Sequence, residues 1–308
     1  MTYSPLRYPG GKNRLAPFIA KVCVDNGITE HYVEPYSGGA AVALFLLFEG
    51  FVNRVTINDS DRSIYAFWHS VLNQTDNLCD LIKKVPITID EWRNQREIQM
   101  NKDDVDLIKL GFSTFFLNRT NRSGIIKGGA IGGYDQTGKY KLDCRFNKED
   151  LVKRIRRIAD YREKISLYNV DALNLVDIVL GDNDNQGNTL FYFDPPYYYE
   201  GHSLYMNYYK KTHHQVVSER VKHLQDVHWI VSYDNAPEIK RLYSGCQMIE
   251  YDMFHMAAAS KKDKELIFLS PTIDFDAQKL PPNFKLKKTK TNKEIIYKKE
   301  GKNSINNK

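Results

Sequence analysis

The chain has 308 residues, 42% of them hydrophobic, and a formal net charge of +6, so it can form one large α/β domain with a smaller insertion. It contains no run of eighteen or more apolar residues, and the N-terminal sequence MTYSPLRYPGGKNR has no apolar signal segment, so we expect a soluble, cytoplasmic protein without a membrane contact. The cysteines Cys23, Cys79, Cys144 and Cys246 form no C-x-x-C pair, which argues against a zinc site and a disulfide framework.

Short apolar segments alternate with helical patterns, as in a Rossmann-like, doubly wound, mixed α/β sheet. The predicted strands are HYVEP (31–35), RVTIND (54–59), ISLYNVDAL (165–173), TLFYFDPP (189–196), HWIVSYDN (228–235) and ELIFLSP (265–271). The alternation breaks between residues 73 and 164. We therefore predict a catalytic domain formed by 1–72 and 165–282, an inserted, mainly helical domain at 73–164, and a basic, flexible tail at 283–308.

The stretch EPYSGGAAVALFLLFEG, residues 34–50, predicts a strand end, a tight glycine turn and a helix. Gly38 and Gly39 let the backbone approach a ligand, and Asp59 ends the next strand where a nucleotide-binding fold holds ribose hydroxyls. The three-glycine dinucleotide motif and the G-x-x-x-x-G-K-[ST] motif are both absent. An acidic Glu34 beside the turn suits a positively charged cofactor such as S-adenosylmethionine. A second glycine pair, in RYPGGKNRL (7–15), is by itself only a turn before a helix.

The inserted segment is predicted to contain the helices TIDEWRNQREIQM and LIKLGFSTFFLN, and then the glycine-rich RTNRSGIIKGGAIGGYDQTGKYKL. The last of these predicts a β-hairpin whose basic side chains enter a DNA groove; a flexible lid with solvated charges is the alternative. The helix KEDLVKRIRRIADYREKI has a basic face that either reaches phosphates or is only solvated. The same choice, phosphate attraction or solvation, stays open for the lysine-rich tail.

The stretch GNTLFYFDPPYYYEG, residues 187–201, runs from an apolar strand into Asp194, Pro195, Pro196 and Tyr197. The strand should present these residues at its carboxyl end, in a loop stiffened by the prolines. The Asp194 carboxylate and the Pro195 carbonyl can accept both hydrogens of an amino group, and the Tyr197 ring can stack on a flat heterocycle. An ordinary turn after a strand is the alternative reading of Asp-Pro-Pro.

In this order, RYPGGK, EPYSGGAAV and DPPY resemble the motifs of the Dam-like adenine-specific DNA methyltransferases. The resemblance covers most of residues 3–270. It implies an S-adenosylmethionine site, and the residues implied for it are Tyr8, Gly11, Lys12, Glu34, Tyr36, Gly38, Asp59, Asp171 and Asp194. FLNRTNRSGI is similar to the sequence that opens the family's DNA-reading hairpin, which implies DNA contacts by Arg119, Asn121, Arg122 and Lys127. The sequence after RSGI is the chain's own, so the DNA target stays open.

The resemblance implies transfer of a methyl group to the 6-amino group of adenine in double-stranded DNA, without a metal. That amine is inaccessible inside a duplex, so the base must be flipped out and stacked on Tyr197.

His213 and His214 are adjacent rather than spaced for a helical zinc site, and are read as helix-start residues. Methylation of the cytosine 4-amino group or of RNA, and a catalytically silent DNA-binding relative, are the alternatives. A cognate restriction endonuclease in a bacterial or phage-infected cell is a candidate partner that the sequence does not decide.

Overall fold

The computed structural model describes residues 3–7, 12–181, 186–199, 209–253 and 263–275. In this part of the chain seven strands form one sheet. They are β1 His31–Glu34, β2 Arg54–Asn58, β3 Ile165–Tyr168, β4 Thr189–Phe193, β5 His228–Asp234, β6 Gln247–Met253 and β7 Asp263–Leu269. All six predicted strands are present. The sequence analysis missed β6, because this edge strand alternates polar with apolar residues and has no continuous apolar run.

The strand order is β3-β2-β1-β4-β5-β7-β6. The pairs β3–β2, β2–β1, β1–β4 and β4–β5 are parallel, whereas β7 runs antiparallel to both β5 and β6. The chain leaves β1 toward β2 on one side, and the later strands β4 and β5 lie on the other side. Such a switch point opens a crevice at the carboxyl ends of the strands, here those of β1 and β4. The predicted doubly wound mixed α/β fold is confirmed.

The helices are α1 Ala16–Asp25, α2 Ala41–Phe48, α3 Arg62–Asn73, α4 Thr75–Lys84, α5 Ile89–Met100, α6 Leu107–Thr120, α7 Lys148–Ala159, α8 Ala172–Gly181, α9 Lys211–Lys222 and α10 Pro237–Leu242. Several begin at a side chain that accepts a hydrogen bond from the first turn. Asp61 accepts from Ser63 N–H at 2.8 Å, and Thr88 accepts from Glu91 N–H at 3.2 Å. Such caps satisfy backbone donors that have no partner within the helix.

The sheet is buried on both faces. Leu190 and Tyr192 of β4 point into the larger core, and Phe191 and Phe193 point into the core on the opposite face. This alternation along one strand is expected where helices cover both sides of a parallel sheet. Since all four side chains are buried, β4 is held rigidly where it delivers the following loop to the crevice.

The inserted segment is mainly helical, as predicted, and its helices α4 to α7 pack with α3 into the larger core. The predicted two-stranded hairpin within 119–142 is wrong. This stretch has a single antiparallel bridge, between Asn121 and Ala130, and otherwise turns. Gly132 and Gly133 have φ values of +85° and +79°, a left-handed conformation that strands do not adopt. The proposed boundaries of the inserted domain stay a prediction.

Candidate active site

A cleft opens at the carboxyl ends of β1 and β4, the crevice expected from the topology. It encloses about 860 Å³ counted out to the solvent at its mouth. Five separate parts of the sequence line it. They are Lys12 near the N-terminus, the turn from Glu34 to Val42, the residues Asp59 to Asp61 after β2, the group of Tyr192, Asp194 and Pro196 in and after β4, and Tyr209. The fold therefore places the glycine turn and the DPPY segment on one cavity.

The glycine turn after β1 is held by neighbouring strands and helices. Ser37 N–H donates to the Asn58 carbonyl at 2.8 Å, and the Trp68 indole N–H donates to the Gly38 carbonyl at 2.9 Å. Gly38 and Ala40 have φ values of +45° and +46°, so the backbone turns sharply before α2 begins. At Gly38, Gly39 and Ala40 the turn thus lines the cleft without a bulky side chain.

Glu34 is buried at the base of this turn. Its Oε1 accepts from Ala43 N–H at 3.0 Å and from the Tyr32 hydroxyl at 3.1 Å. Burial, only partly offset by these donors, raises the pKa of Glu34 to about 8. The carboxyl is therefore largely protonated at neutral pH, and a cation in the cleft would favour its ionised form.

Asp59 lies half-buried at the end of β2, opposite the glycine turn. Gly38 N–H donates to its Oδ2 at 3.1 Å, and Asp61 N–H donates to its Oδ1 at 2.9 Å. Burial and the nearby Asp61 charge raise the pKa of Asp59 to about 7. The two oxygens keep lone pairs for a further donor in the cleft, because a carboxylate offers about four acceptor positions.

The Lys12 side chain connects the N-terminal segment with the DPPY loop, residues 194–197. Its Nζ is 2.9 Å from Glu265 Oε1, 3.0 Å from the Tyr197 hydroxyl and 3.3 Å from Asp194 Oδ1. Burial by itself would lower the pKa of Lys12, but the surrounding Asp194 and Glu265 charges raise it well above its ordinary value. The ammonium is therefore charged under all ordinary conditions.

Asp194 follows β4 directly, where the sequence predicted it. The Ser232 hydroxyl of β5 donates to Asp194 Oδ1 at 2.6 Å, and Ser232 also lies 2.7 Å from the Tyr192 hydroxyl. Burial raises the pKa of Asp194, while the Lys12 ammonium opposes this shift. A hydroxyl and a cation thus both contact Oδ1 of the carboxylate and orient it.

The rest of the tetrapeptide packs tightly behind Asp194. Pro195, Pro196 and Tyr197 are buried, and Pro196 lines the cleft. The Tyr197 hydroxyl donates to Glu265, and Lys12 Nζ lies 4.9 Å from the centre of the tyrosine ring. The N–H groups of Tyr198 and Tyr199 donate to the Asp234 carboxylate at 2.8 and 3.3 Å, so these two residues are also fixed.

The remaining predicted cofactor residues lie in three kinds of place. Tyr36 lines the cleft, and its hydroxyl is 2.9 Å from that of Tyr209. Asp171 is exposed, and its Oδ1 accepts from Leu173 N–H at 2.9 Å in the first turn of α8. Tyr8 and Gly11 lie outside the described residues. The roles of all four stay predictions.

The four residues predicted to contact DNA differ sharply in burial. Asn121 is fully buried, and it accepts from the Trp92 indole at 2.6 Å and donates to the Ile125 and Ile126 carbonyls at 2.9 Å each. Arg119 donates to the carbonyls of Arg145 and Pro5. Arg122 and Lys127 are exposed. The structure thus gives Asn121 a structural role, and leaves Arg122 and Lys127 accessible to a ligand.

The sequence analysis missed Glu265, Ser232 and Tyr209 as site residues. Glu265 and Ser232 each had a signal, because a polar residue within an apolar strand is unusual: KELIFL contains the acid, and WIVSY contains the serine. Tyr209 had none, since it lies between predicted elements.

In the part of the chain that the structure describes, no helix is long and apolar enough to cross a membrane. Within the same residues, no group of three or more histidine, cysteine, aspartate or glutamate side chains is placed to hold a metal ion.

Comparison with known proteins identifies the family. A sequence model described as D12 class N6 adenine-specific DNA methyltransferase matches residues 8–256. The Type II methyltransferase M.MjaIII of Methanocaldococcus jannaschii is 26% identical over 206 residues, covering 62% of this chain and 68% of that protein. The match confirms the resemblance seen in the RYPGGK, EPYSGGAAV and DPPY motifs. The chain belongs to the D12 class of N6 adenine-specific DNA methyltransferases, and it is an enzyme that methylates adenine in DNA.

Proposed function

We propose that the enzyme transfers a methyl group from S-adenosylmethionine to the 6-amino group of an adenine flipped out of double-stranded DNA. One observation carries the proposal: Asp194 and Pro196 of the DPPY loop line the same cleft as the glycine turn and Asp59. A cofactor held by the turn would thus lie beside the group that accepts the amine.

The side chains of the cleft fit this cofactor. Four acidic residues line the cleft, Glu34, Asp59, Asp61 and Asp194, and Lys12 is the basic residue among its described lining. Burial leaves Glu34 largely protonated, so a ligand with positive charge would be favoured by the carboxylates and would also favour ionisation of Glu34. Asp59 has acceptor positions for ribose hydroxyls, and the main chain at Gly38 allows close approach. When bound, S-adenosylmethionine supplies an electrophilic methyl group on a positively charged sulfur.

The chain's own contribution to the reaction is to hold the amine. The lone pair of the adenine 6-amino group is delocalised into the ring, so its nitrogen is a poor nucleophile. Asp194 and the Pro195 carbonyl would accept its two hydrogens, which favours a pyramidal nitrogen with an available lone pair. Ser232 and Lys12 fix the carboxylate beforehand, so little reorganisation is needed during the reaction.

The target adenine must leave the duplex to reach this loop, because its amine is paired inside the double helix. Tyr197 is only 6% exposed, and its hydroxyl is held by Lys12 and Glu265. We assign its ring to the stacking of the flipped base, which requires the ring to become more accessible when DNA binds. Exposed Arg122 and Lys127 are assigned to the DNA, as a base contact and a phosphate contact respectively. The Type II designation of M.MjaIII supports a cognate restriction endonuclease as a partner.

The proposal is tested with the purified protein, labelled S-adenosylmethionine and plasmid DNA, followed by digestion to nucleosides. We expect the label in N6-methyladenine, and only with double-stranded DNA. Label in N4-methylcytosine, or preference for RNA, would replace the proposed substrate with one of the alternatives. Sequencing the methylated plasmid for modified positions then gives the target site.

A further inference from the structure

Glu265 is a buried acid that the assignments above leave without a role. It lies on β7, opposite Asp234 of β5 and Tyr251 of β6 in the strand register. Because β7 runs antiparallel to β5, its first residues lie at the edge where the parallel strands end. The side chain is only 2% exposed. A glutamate this buried requires partners for its charge.

Its partners converge from three parts of the chain. Lys12 Nζ lies 2.9 Å from Oε1 and 3.1 Å from Oε2. The Tyr197 hydroxyl donates to Oε1, and the Tyr251 hydroxyl donates to Oε2. A carboxylate has about four acceptor positions, and all are engaged here. A glutamine would offer one acceptor oxygen and would place an NH₂ group against two donors.

The charges around Lys12 explain why a second acid is useful. Lys12 Nζ is closer to Glu265, at 2.9 Å, than to Asp194, at 3.3 Å. With Glu265 removed, the ammonium would have Asp194 as its remaining carboxylate partner among the described residues and would move toward it. Asp194 Oδ1 already accepts a hydrogen bond from Ser232, so a closer Lys12 would turn the carboxylate and displace the oxygen left for the adenine amine. Glu265 therefore keeps the ammonium at a distance that orients Asp194 without turning it.

Tyr197 depends on the same carboxylate. Its hydroxyl is tied to Glu265 and receives a hydrogen bond from Lys12 at 3.0 Å. Fixing the hydroxyl restricts the tilt of the ring, and the ring face is what a flipped base would contact. Misplacement of such a group by about 1 Å can cost on the order of 100-fold in rate.

We propose that Glu265 is a positioning residue that orients the ring of Tyr197 and holds Lys12 away from Asp194, so that both are ready for the adenine. The inference rests on the proposed function, since it concerns the use of these residues toward the flipped base. It assigns Glu265 no contact with either substrate.

The kinetic test compares E265Q with E250Q. Glu250 lies on the adjacent strand β6, is exposed and pairs with Lys240 and Lys264. E250Q is therefore a matched control, because it also replaces one glutamate by glutamine. The assay uses saturating S-adenosylmethionine and unmethylated DNA that carries the site the enzyme methylates. We expect E265Q to lower the single-turnover rate about 100-fold. Calorimetry should show one cofactor bound, with a dissociation constant within about fivefold of the wild type. E250Q should match the wild type in both.

A purely structural role would instead reduce the bound stoichiometry and the rate together, and that result would overturn the inference. So would an E265Q rate within about threefold of the wild type. If E265Q fails to fold, E265D carries the test. It keeps the charge but is one methylene shorter, so it cannot reach Lys12 and Tyr197 together. We expect a loss of about tenfold, and a wild-type rate would refute the proposal.

A crystal structure of E265Q tests the geometry without any activity. We expect Lys12 Nζ to be closer to Asp194 and the Tyr197 ring to be displaced. Unchanged positions would overturn the inference. If the wild type itself does not methylate DNA, the proposed function has failed, whereas this structural comparison still decides the role of Glu265.

Discussion

The active-site cleft and the glycine-rich segment 119–142 bind polar groups in opposite ways. In the cleft, charged side chains are buried and bound by main-chain N–H groups or by each other, as Asp59 and Lys12 show. In the segment, buried neutral amides hold the backbone, while the charges of Arg122 and Lys127 lie in solvent. A fixed reaction needs preorganised charges, whereas a DNA surface needs accessible ones.

The largest expected effect concerns Asp194, the aspartate of the cleft that is proposed to accept the adenine amine. Asp194→Ala removes an acceptor of the adenine amine, so we expect methyl transfer to fall by about 1000-fold or more. The residue follows β4 in a loop, so the melting temperature should change little. Asp177→Ala, at an exposed ion pair with Arg220, is the control and should keep full activity. Near-normal turnover of the Asp194 variant would refute the proposed mechanism.

The next largest effect should arise in the glycine-rich segment, from its buried amide. Asn121→Ala leaves the Trp92 indole N–H and the Ile125 and Ile126 carbonyls without their partner. We expect a loss of about 3 kcal/mol in the free energy of unfolding, measured with urea. Asn94→Ala, which removes an exposed amide that donates to Glu91, should cost about 0.5 kcal/mol or less. Equal losses would show that Asn121 does not organise the segment.

The third prediction concerns cofactor binding at Asp59. Asp59→Asn removes the carboxylate proposed for the ribose, so we expect calorimetry without DNA to show about 10-fold weaker binding of S-adenosylmethionine. Because the pKa of Asp59 is raised to about 7, the wild type should bind more weakly as pH falls through 7 and the carboxylate is protonated. The variant should lose the part of this dependence that is centred near pH 7 and keep the part due to Glu34, whose pKa is about 8. The Arg122→Ala variant should bind the cofactor normally. A similar loss of cofactor affinity in this variant would show that the glycine-rich segment also contributes to cofactor binding.

A smaller effect separates the two exposed basic residues of the segment. Arg122→Ala should lose about 1–3 kcal/mol of discrimination at one base pair, measured as methylation of substrates altered one position at a time. Lys127→Ala should weaken all substrates alike and flatten the salt dependence of binding. If neither substitution changes affinity, salt slope or preference, target recognition lies elsewhere, for example on the helices of the insertion.

The last prediction is a stability change at Glu34. Its pKa of about 8 in the folded chain exceeds its ordinary value of 4.5, so the folded state holds its proton more tightly than the unfolded state. Stability therefore falls as pH rises from about 4.5 to about 8, and then stays level. Glu34→Gln removes this penalty and should gain about 1–3 kcal/mol relative to the wild type at pH 8.5, but almost nothing at pH 4.5. A gain independent of pH would contradict the assignment.

The sequence alone determined the parts of the molecule whose signal is local. The apolar runs gave six of seven strands, and a strand followed by SGG or DPPY placed both motifs at strand ends, because side-chain burial and backbone freedom act over a few neighbouring residues. The edge strand β6 and the failed hairpin show the limit of that signal. Half-exposed strands lack an apolar run, and glycine-rich segments permit many conformations.

Only the tertiary structure decided which distant residues share a partner. Lys12, Tyr197, Tyr251 and Glu265 meet because β7 runs antiparallel beside β5, and no local pattern predicts that pairing. The burial of Asn121 was likewise invisible, since a polar amide in a glycine-rich stretch reads as exposed until its partners Trp92 and Ile125 are brought to it. Sequence specifies which groups can bind; the packing of strands and helices specifies which of them are desolvated together, and desolvation sets their charge and their use.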